Sequence, residues 1–300
     1  MADFGMNPVP DARSCHPRIG LLSFATPIMA EIWCNHEWLP ADRYPGAAQD
    51  RGAFLGLGLF ETMLAVDGVV VFADRHLARL HQSCAHLGWP VGAFDLCEIA
   101  KELLLRNGLA NGTARLRLIV TAGSGPHNDL APGADRLLWL AAFPMTVSDD
   151  AITACLSPWS RNERSPLAGL KTSCYAENIF ALDRARRSGF DEAIFLNTAG
   201  WLCEAATANL FLVKDGTLFT PSLDSGCLPG IGREVICEIA ARAGMEVNQC
   251  ALSLSELHAA DEIFLSSATR GPVGVSRFEG RYFPTLPVTA AVRLHWQELL

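Results

Sequence analysis

Several features that would point to common protein classes are missing from this chain. It has no run of basic residues, and its formal net charge is −8 at pH 7, which does not favour binding to nucleic acid or to an anionic membrane. No apolar run reaches the length of a membrane-spanning helix. The first residues do not resemble a signal peptide, because prolines and charges interrupt them. We therefore expect a cytoplasmic protein without a nucleic-acid or membrane partner.

Cysteine pairs of the kind that bind metals or form redox centres are also missing. The chain has 10 cysteines, but no two are spaced as Cys-x-x-Cys, and some lie within apolar patterns, as Cys237 does after Val235 and Ile236. Scattered single cysteines are typical of small buried thiols in a reducing compartment. We predict neither a disulfide framework nor a metal site.

The length and hydrophobic content of the chain fit one large or two modest domains. It has 300 residues, and 50% of them are hydrophobic. Residues 1–28 show no clear periodicity and are predicted to form a loosely held tail. We predict a small α+β domain over residues 29–143, a polar linker over 144–150 and a larger α+β domain over 151–300.

Predicted strands and helices follow each other without a regular alternation. A hairpin is predicted around residues 32–40, and further strands are predicted at 115–121, 137–143, 152–156, 193–196, 209–213, 218–219 and 262–265. Helices are predicted from residue 74 onward and at 95–106, 175–187, 233–243 and 288–300. This mixture indicates an α+β fold rather than a doubly wound sheet.

Lys171 and Glu204 are the residues that point most clearly to chemistry. Lys171 ends a loop that contains Pro166 and Gly169, just before a predicted helix. Glu204 lies in a short, otherwise apolar strand, where an unpaired buried carboxylate would be costly. A pyridoxal phosphate ring satisfies both, because the lysine would hold its aldehyde as a Schiff base and the glutamate would keep its nitrogen protonated. The ordinary alternatives are a solvated lysine and an exposed edge glutamate.

A second pattern predicts a phosphate site. The segment Gly230-Ile231-Gly232 precedes a predicted helix, so free backbone N–H groups and the helix dipole favour an anion there. The alternative is a simple glycine-containing helix start. Residues 266–271, after the strand at 262–265, are predicted to add phosphate contacts at the strand end.

Together these motifs resemble those of the class IV, fold type IV pyridoxal-phosphate enzymes, which include branched-chain and D-amino acid aminotransferases and aminodeoxychorismate lyase. The resemblance runs from about residue 32 to residue 282. It implies a two-domain α+β fold, a pyridoxal 5′-phosphate cofactor and a homodimer whose pocket a neighbouring subunit completes. The segments that carry it are Asp50-Arg51-Gly52 to Thr62, 75–80, Lys171-Thr172-x-x-Tyr175-x-Glu177-Asn178, 204–209, Gly230-Ile231-x-Arg233 and Ser266-Ser267.

The resemblance also implies roles for individual residues. Lys171 would be the Schiff-base lysine and proton shuttle, Glu204 the partner of the pyridine nitrogen, and Arg79 a phosphate ligand from the small domain. The ordinary alternatives are an exposed helix arginine at 79 and core polar residues at 175 and 209. The other implied cofactor contacts are backbone phosphate contacts at Ile231 and Gly232, a second phosphate contact at Ala268 and Thr269, and support of the ring by Tyr175 and Asn209.

Three positions depart from the family pattern. Gly232 stands where the family often has threonine, Cys174 where it usually has asparagine, and Ala268 where a hydroxyl is common. None of these positions alters the chemistry of Lys171. We therefore expect intact chemistry with a cofactor affinity below the usual level of the family.

The signals for the substrate are mixed. Phe60-Glu61-Thr62 stands where branched-chain aminotransferases usually read Phe-Glu-Gly, and the loop at 125–129 lacks the arginine with which D-amino acid aminotransferases trap a carboxylate. Phe60 and Thr62 are predicted to line the substrate pocket, and Thr62 matches a catalytically important threonine of the lyase. Arg117, on a strand with one basic face, is the best candidate to hold a substrate carboxylate. Its alternative is a surface strand residue.

Three functions remain open. We favour a pyridoxal-phosphate-dependent aminotransferase that transfers an amino group between an amino acid or amine and a 2-oxo acid, because this is the commoner activity of the family. The alternative enzyme is 4-amino-4-deoxychorismate lyase, which releases pyruvate and 4-aminobenzoate and would use Thr62 in catalysis. A catalytically silent binding protein is disfavoured, because Lys171 and Glu204 are both present.

Overall fold

The computed structural model describes residues 30–42, 46 and 49–300, so the predicted tail over residues 1–28 lies outside the described residues. In these ranges the chain forms two β-sheets together with seven α-helices. The predicted α+β class is thereby confirmed. No helix of the described residues is long and apolar enough to cross a membrane.

The first sheet is built from the first half of the chain. Its strands are β1 (Glu31–Cys34), β2 (Glu37–Pro40), β3 (Gly58–Val66), β4 (Val69–Val70), β5 (Thr113–Thr121) and β6 (Leu138–Pro144). They lie in the order β2-β1-β6-β5-β3-β4, and every neighbouring pair is antiparallel. The helices of this half are α1 (Arg51–Leu55), α2 (Ala73–His86) and α3 (Leu96–Arg106).

Strand β3 has two different faces. Leu59 and Met63 are buried in the core that the sheet forms with α2 and α3. Because successive side chains of a strand point to opposite faces, Phe60 and Thr62 face away from this core. Thr62 lies directly opposite Arg117 of β5, so these residues share the second face of the sheet.

The second sheet is built from the second half of the chain. Its strands are β7 (Ile152–Leu156), β8 (Glu192–Leu196), β9 (Leu202–Ala205), β10 (Asn209–Lys214), β11 (Thr217–Pro221), β12 (Val247–Cys250), β13 (Glu262–Ser267), β14 (Gly271–Phe278) and β15 (Arg281–Tyr282). Eight of them lie in the order β12-β11-β10-β13-β14-β7-β8-β9, and β15 pairs with β14. Its helices are α4 (Ala176–Arg187), α5 (Ile231–Arg242), α6 (Leu254–Ala259) and α7 (Pro287–Gln297).

The two halves are connected by one chain segment and by ion pairs between side chains. Residues 145–151 form neither helix nor strand. Arg75 of α2 donates to Glu234 at 2.7 Å and to Glu238 at 2.8 and 2.9 Å, and both acids lie on α5. These bonds hold the first sheet's helix layer against the start of α5; the division into two domains stays a prediction.

Candidate active site

The segment that carries Lys171 is attached to the free edge of β3. Strand β4 pairs only with Ala65 and Val66 at the end of β3, so the first half of that edge is open to another segment. The Phe60 N–H donates to the Lys171 carbonyl at 2.9 Å, and the Ser173 N–H donates to the Gly58 carbonyl at 2.8 Å. These two bonds fix the backbone of Lys171 directly before α4 begins.

The side chain of Lys171 is partly buried and lies near other positively charged side chains. Its Nζ is 4.5 Å from the centroid of the Phe60 ring. Burial, followed by the charge of Arg79, lowers the pKa of Lys171 from its usual 10.5 to about 8, while two nearby carboxylates oppose this change. A lysine that loses its proton near pH 8 can act as a nucleophile and as a proton carrier.

Glu204 is held from two sides on β9. Its Oε2 accepts a hydrogen bond from the Leu228 N–H at 3.0 Å, and its Oε1 lies 3.5 Å from a terminal nitrogen of Arg161. Burial raises the pKa of the Glu204 carboxyl, and Arg161 opposes this rise. The contact with Arg161 is long, and a carboxylate accepts more than two hydrogen bonds, so Glu204 can also accept from a protonated nitrogen beside it.

Arg161 is a site residue that the sequence reasoning missed. Its guanidinium lies 4.7 Å from the centroid of the Phe195 ring, and one terminal nitrogen donates to Asn178 at 3.3 Å. Its Nε is buried and has no hydrogen-bond partner among the described residues. An arginine in an irregular segment before Lys171 carries no periodic signal, which is why the sequence pattern did not reveal it.

Tyr175 joins the Lys171 segment to the turn after Glu204. Its hydroxyl donates to the Ala206 carbonyl at 2.9 Å, and its ring meets the Phe60 ring edge-on with centroids 5.4 Å apart. Burial, followed by the charge of Glu204, raises the pKa of the Tyr175 hydroxyl to about 12. Tyr175 therefore stays protonated at neutral pH and acts as a fixed hydrogen-bond donor.

The start of α5 forms a narrow cradle. The helix begins at Ile231, two residues before the predicted start, so Gly232 lies within its first turn, and Gly230 caps it without a side-chain bond. A Cβ on Gly232 would lie 2.9 Å from the carbonyl carbon of Ser267, and a Cβ on Gly230 would lie 1.9 Å from Asn209 Oδ1. Only glycine permits this close approach, and it leaves backbone N–H groups of the helix start able to bind an anion.

The end of β13 faces the same cradle. The backbone nitrogen of Ala268 is 3.3 Å from the position that a Gly232 Cβ would take, and the Thr269 hydroxyl lies 3.5 Å from that of Ser267. The Ser266 hydroxyl is buried without a hydrogen-bond partner in the described part of the chain. Asn209, opposite Ser266 in the sheet, donates to the Leu228 carbonyl at 2.9 Å.

Arg79 reaches this cradle from α2. One terminal nitrogen donates to the Pro229 carbonyl at 3.0 Å, immediately before the cap of α5. The rest of its guanidinium is bonded to Glu61 of β3. Arg79 is therefore not an exposed helix arginine. Glu61 was also missed, although a lone carboxylate between the apolar residues Leu59 and Met63 was a signal of the same kind as Glu204.

Arg117 and Phe60 contact each other on the second face of the first sheet. The Arg117 guanidinium lies 3.9 Å from the centroid of the Phe60 ring, so Phe60 contacts both this cation and Lys171. Burial lowers the pKa of Arg117. None of the described carboxylates lies within ion-pair distance of it, and Thr62 is its neighbour across the strand pair. A half-buried cation without an acidic partner is suited to an anionic ligand group.

Residues 58–278 match the family model described as amino-transferase class IV. The chain is also 32% identical over 274 residues to a branched-chain-amino-acid aminotransferase of Salmonella typhimurium, and the match covers 84% of this chain and 88% of that protein. The chain belongs to the class IV aminotransferases. The resemblance inferred from the sequence motifs is confirmed, and transamination, rather than a silent binding fold, is the activity of this family.

Solved structures place the fold of this aminotransferase in the same family. A branched-chain amino acid aminotransferase of Escherichia coli superposes with a TM-score of 0.83 at 29% identity, covering 90% of this chain and 94% of that one. A protein described as a putative 4-amino-4-deoxychorismate lyase of Legionella pneumophila superposes with a TM-score of 0.79 at 27% identity, covering 85% and 95%. The predicted fold type IV is thus confirmed.

Pyridoxal 5′-phosphate is the cofactor of this aminotransferase, as of its family, and the residues present fit it. The cradle at Gly232 has no room for a Cβ, the nearby Ser266 hydroxyl is an unused donor within the described residues, and Arg79 lies next to them. Lys171 and Glu204 are partly buried and electrostatically coupled. The anion site matches the phosphate of the cofactor, the lysine of lowered pKa matches its aldehyde, and the buried carboxylate matches its ring nitrogen.

Proposed function

We propose that this aminotransferase acts on an amino acid whose carboxylate is held by Arg117 while Lys171 moves the proton. The observation that carries the proposal is the shared contact with Phe60: the two cations lie 3.9 and 4.5 Å from the centroid of one ring. An amino acid carries its amino group and its carboxylate on the same carbon. A site that offers one amine for chemistry and one unpaired guanidinium fits that substrate better than a simple amine.

The proposed roles of the other residues follow from their contacts. Arg79, the backbone of Ile231 and Gly232, and residues Ala268 and Thr269 hold the phosphate. Glu204 holds a proton at the ring nitrogen, and the protonated Tyr175 hydroxyl and the Asn209 amide fix the turns beside the ring. The bound cofactor supplies an electron sink that stabilises negative charge. Lys171 Nζ, with its pKa lowered to about 8, takes up and returns the proton.

The nature of the substrate side chain is a further part of the proposal. A relative that is 32% identical to this chain is named for branched-chain amino acids. The ring of Phe60 is an apolar surface at the site. We therefore propose apolar amino acids, with a 2-oxo acid as acceptor, as the first substrates to test. The lyase reaction stays the alternative, because Thr62 lies opposite Arg117 in the strand pair and would supply the hydroxyl that the elimination needs.

The experiment compares two arginines of the same strand. Arg117→Gln is expected to lower kcat/KM for amino acids by about 10- to 1000-fold, the scale of a lost bond to a charged group, and to leave turnover of the matching amine nearly unchanged. Arg115→Gln is the control, since Arg115 lies on the same strand as Arg117 but is exposed, with its guanidinium 5.2 Å from the centroid of the Phe143 ring on β6. An equal loss on amino acids and amines would contradict the proposed carboxylate contact.

We also propose a cytoplasmic homodimer. The family resemblance implies the dimer, and large apolar side chains such as Phe54 (60% exposed) and Phe180 (67% exposed) offer surface for a partner subunit. The free thiols of the described cysteines fit a reducing compartment. Light scattering on the active enzyme tests the assembly: we expect the mass of two chains, and a fully active monomer would contradict the proposal.

A further inference from the structure

We propose that Glu61 is a positioning residue that aims Arg79 at the phosphate of the cofactor. The proposal rests on the role proposed above for Arg79. Glu61 lies on β3 between Phe60 and Thr62, but its side chain points to the opposite face, toward α2. It therefore acts on the pocket through Arg79 and not by contact with the substrate.

Glu61 holds Arg79 through both of its carboxylate oxygens. Arg79 Nε donates to Oε1 at 2.8 Å, and one terminal nitrogen donates to Oε2 at 2.5 Å. A bidentate pair of this kind fixes the plane of the guanidinium as well as its distance. The side chain of Glu61 is 2% exposed and that of Arg79 is 11% exposed, so little water competes for these bonds.

The pair leaves one end of Arg79 directed at the cradle. The remaining terminal nitrogen donates to the Pro229 carbonyl at 3.0 Å, and Pro229 directly precedes Gly230 and the start of α5. A long, flexible arginine side chain loses conformational freedom when it binds an anion. Because Glu61 has already fixed the guanidinium, this cost is met before the phosphate arrives.

His76 fixes Glu61 in turn. Its Nδ1 lies 2.7 Å from Glu61 Oε2, and His76 is 1% exposed. Burial pushes the pKa of Glu61 up, but Arg79 and His76 together bring it down to about 2. The carboxylate is therefore ionised at neutral pH and can only accept hydrogen bonds. Burial lowers the pKa of His76, so this histidine is neutral and carries its proton on Nδ1.

The chain offers a matched control one helical turn away. Arg75 also lies on α2, and it makes a bidentate pair with Glu238 at 2.8 and 2.9 Å. This second pair joins the same helix to α5, but it lies at the surface, with Glu238 38% exposed. Glu238→Gln therefore breaks another bidentate arginine–glutamate pair of α2 without altering the proposed phosphate contact.

The experiment measures binding of pyridoxal 5′-phosphate and of pyridoxal, which lacks the phosphate, to the full-length chain freed of cofactor. Glu61→Gln is expected to weaken binding of pyridoxal 5′-phosphate by about 10- to 100-fold, the loss seen when residues that orient metal ligands are replaced, and to leave pyridoxal binding unchanged. Glu238→Gln is expected to change neither. In an Arg79→Gln background, Glu61→Gln should have no further effect, because the two residues act as a unit.

Each outcome distinguishes the positioning role from the role of Arg79 itself. If Arg79→Gln binds pyridoxal 5′-phosphate normally, the phosphate assignment of Arg79 is wrong. If Arg79→Gln weakens binding but Glu61→Gln does not, or if Glu61→Gln weakens both ligands equally, the positioning role is overturned. If Glu61→Gln does not fold, His76→Gln removes the support of Glu61 and must show the same loss for the phosphorylated ligand only; an equal loss for both ligands overturns the role.

Discussion

A terminal nitrogen of Arg161 lies 3.5 Å from Oε1 of Glu204, and the Glu204 side chain is only 12% exposed. The pair holds a negative charge at the place where the cofactor's ring nitrogen is proposed to lie. Removing one partner of a buried pair leaves the other charge uncompensated. The electrostatics of this aminotransferase are therefore expected to depend on Arg161 as well as on Glu204.

Replacing Arg161 should change the pH dependence of the reaction. Without this cation the pKa of Glu204, which burial already raises, rises further, so the ionised carboxylate is lost at a higher pH. The acid limb of the kcat/KM profile of Arg161→Gln is expected to move to higher pH. Arg164→Gln is the control, since Arg164 is 88% exposed. An unchanged acid limb in Arg161→Gln would exclude the proposed influence on Glu204.

Replacing Glu204 should separate cofactor binding from catalysis. Glu204→Gln keeps the shape of the side chain but cannot stabilise a proton on the ring nitrogen. We expect the variant to bind the cofactor and to lose about 2 to 4 kcal/mol of barrier lowering in kcat, the scale of one preorganised electrostatic group. Steady-state rates with the cofactor saturating give the answer. Rates equal to those of the parent enzyme would place Glu204 outside the site.

Replacing Thr62 distinguishes transamination from elimination. Thr62→Val keeps the volume and removes the hydroxyl on the pocket face. For a transaminase we expect a change in substrate preference of only about 1 to 3 kcal/mol, measured on a panel of amino acids. A lyase that needs the hydroxyl would instead lose about a hundredfold or more in pyruvate release. Release of pyruvate from aminodeoxychorismate by the parent enzyme, lost in the variant, would show that the lyase reading is right.

The sequence predicted those parts of the fold that depend on local pattern. The hairpin at β1 and β2 and the helices α3, α4 and α5 were predicted to within a few residues, because their apolar periodicity and their capping glycines are local signals. Helix α1 was missed, because five residues are too few to show a helical period. Strand β14 was also missed, since it is buried almost throughout and shows no alternation.

The candidate site was predicted unevenly for a related reason. Lys171 and Glu204 stood out because each is a charged residue in an apolar or glycine-rich context. Arg161 and the pair of Glu61 with His76 depend on contacts across the fold, since His76 Nδ1 meets Glu61 from a different element. A single sequence does not show such contacts, and the roles of all these residues stay predictions.

The lowered pKa of Lys171 predicts the pH dependence of cofactor capture. Below a pKa of about 8 the amine is protonated and cannot attack, and above it the amine is free. The rate of covalent attachment of pyridoxal 5′-phosphate to the cofactor-free enzyme is therefore expected to rise with pH, and the midpoint of this rise is expected near pH 8. A midpoint near 10.5, the usual pKa of lysine, would show that burial and Arg79 do not lower the pKa of Lys171. Spectroscopic stopped-flow measurements give this profile.

Reductive labelling tests the central claim most directly. The chain contains only three lysines, Lys101, Lys171 and Lys214. Lys101 is exposed on α3, and Lys214 is paired with Asp261 at 3.0 Å. Borohydride treatment of the enzyme with its cofactor, followed by peptide mapping, is expected to find the pyridoxyl group on Lys171 alone, with Lys171→Ala folded, unlabelled and inactive. A label on Lys101 or Lys214, or normal turnover by Lys171→Ala, would contradict the account.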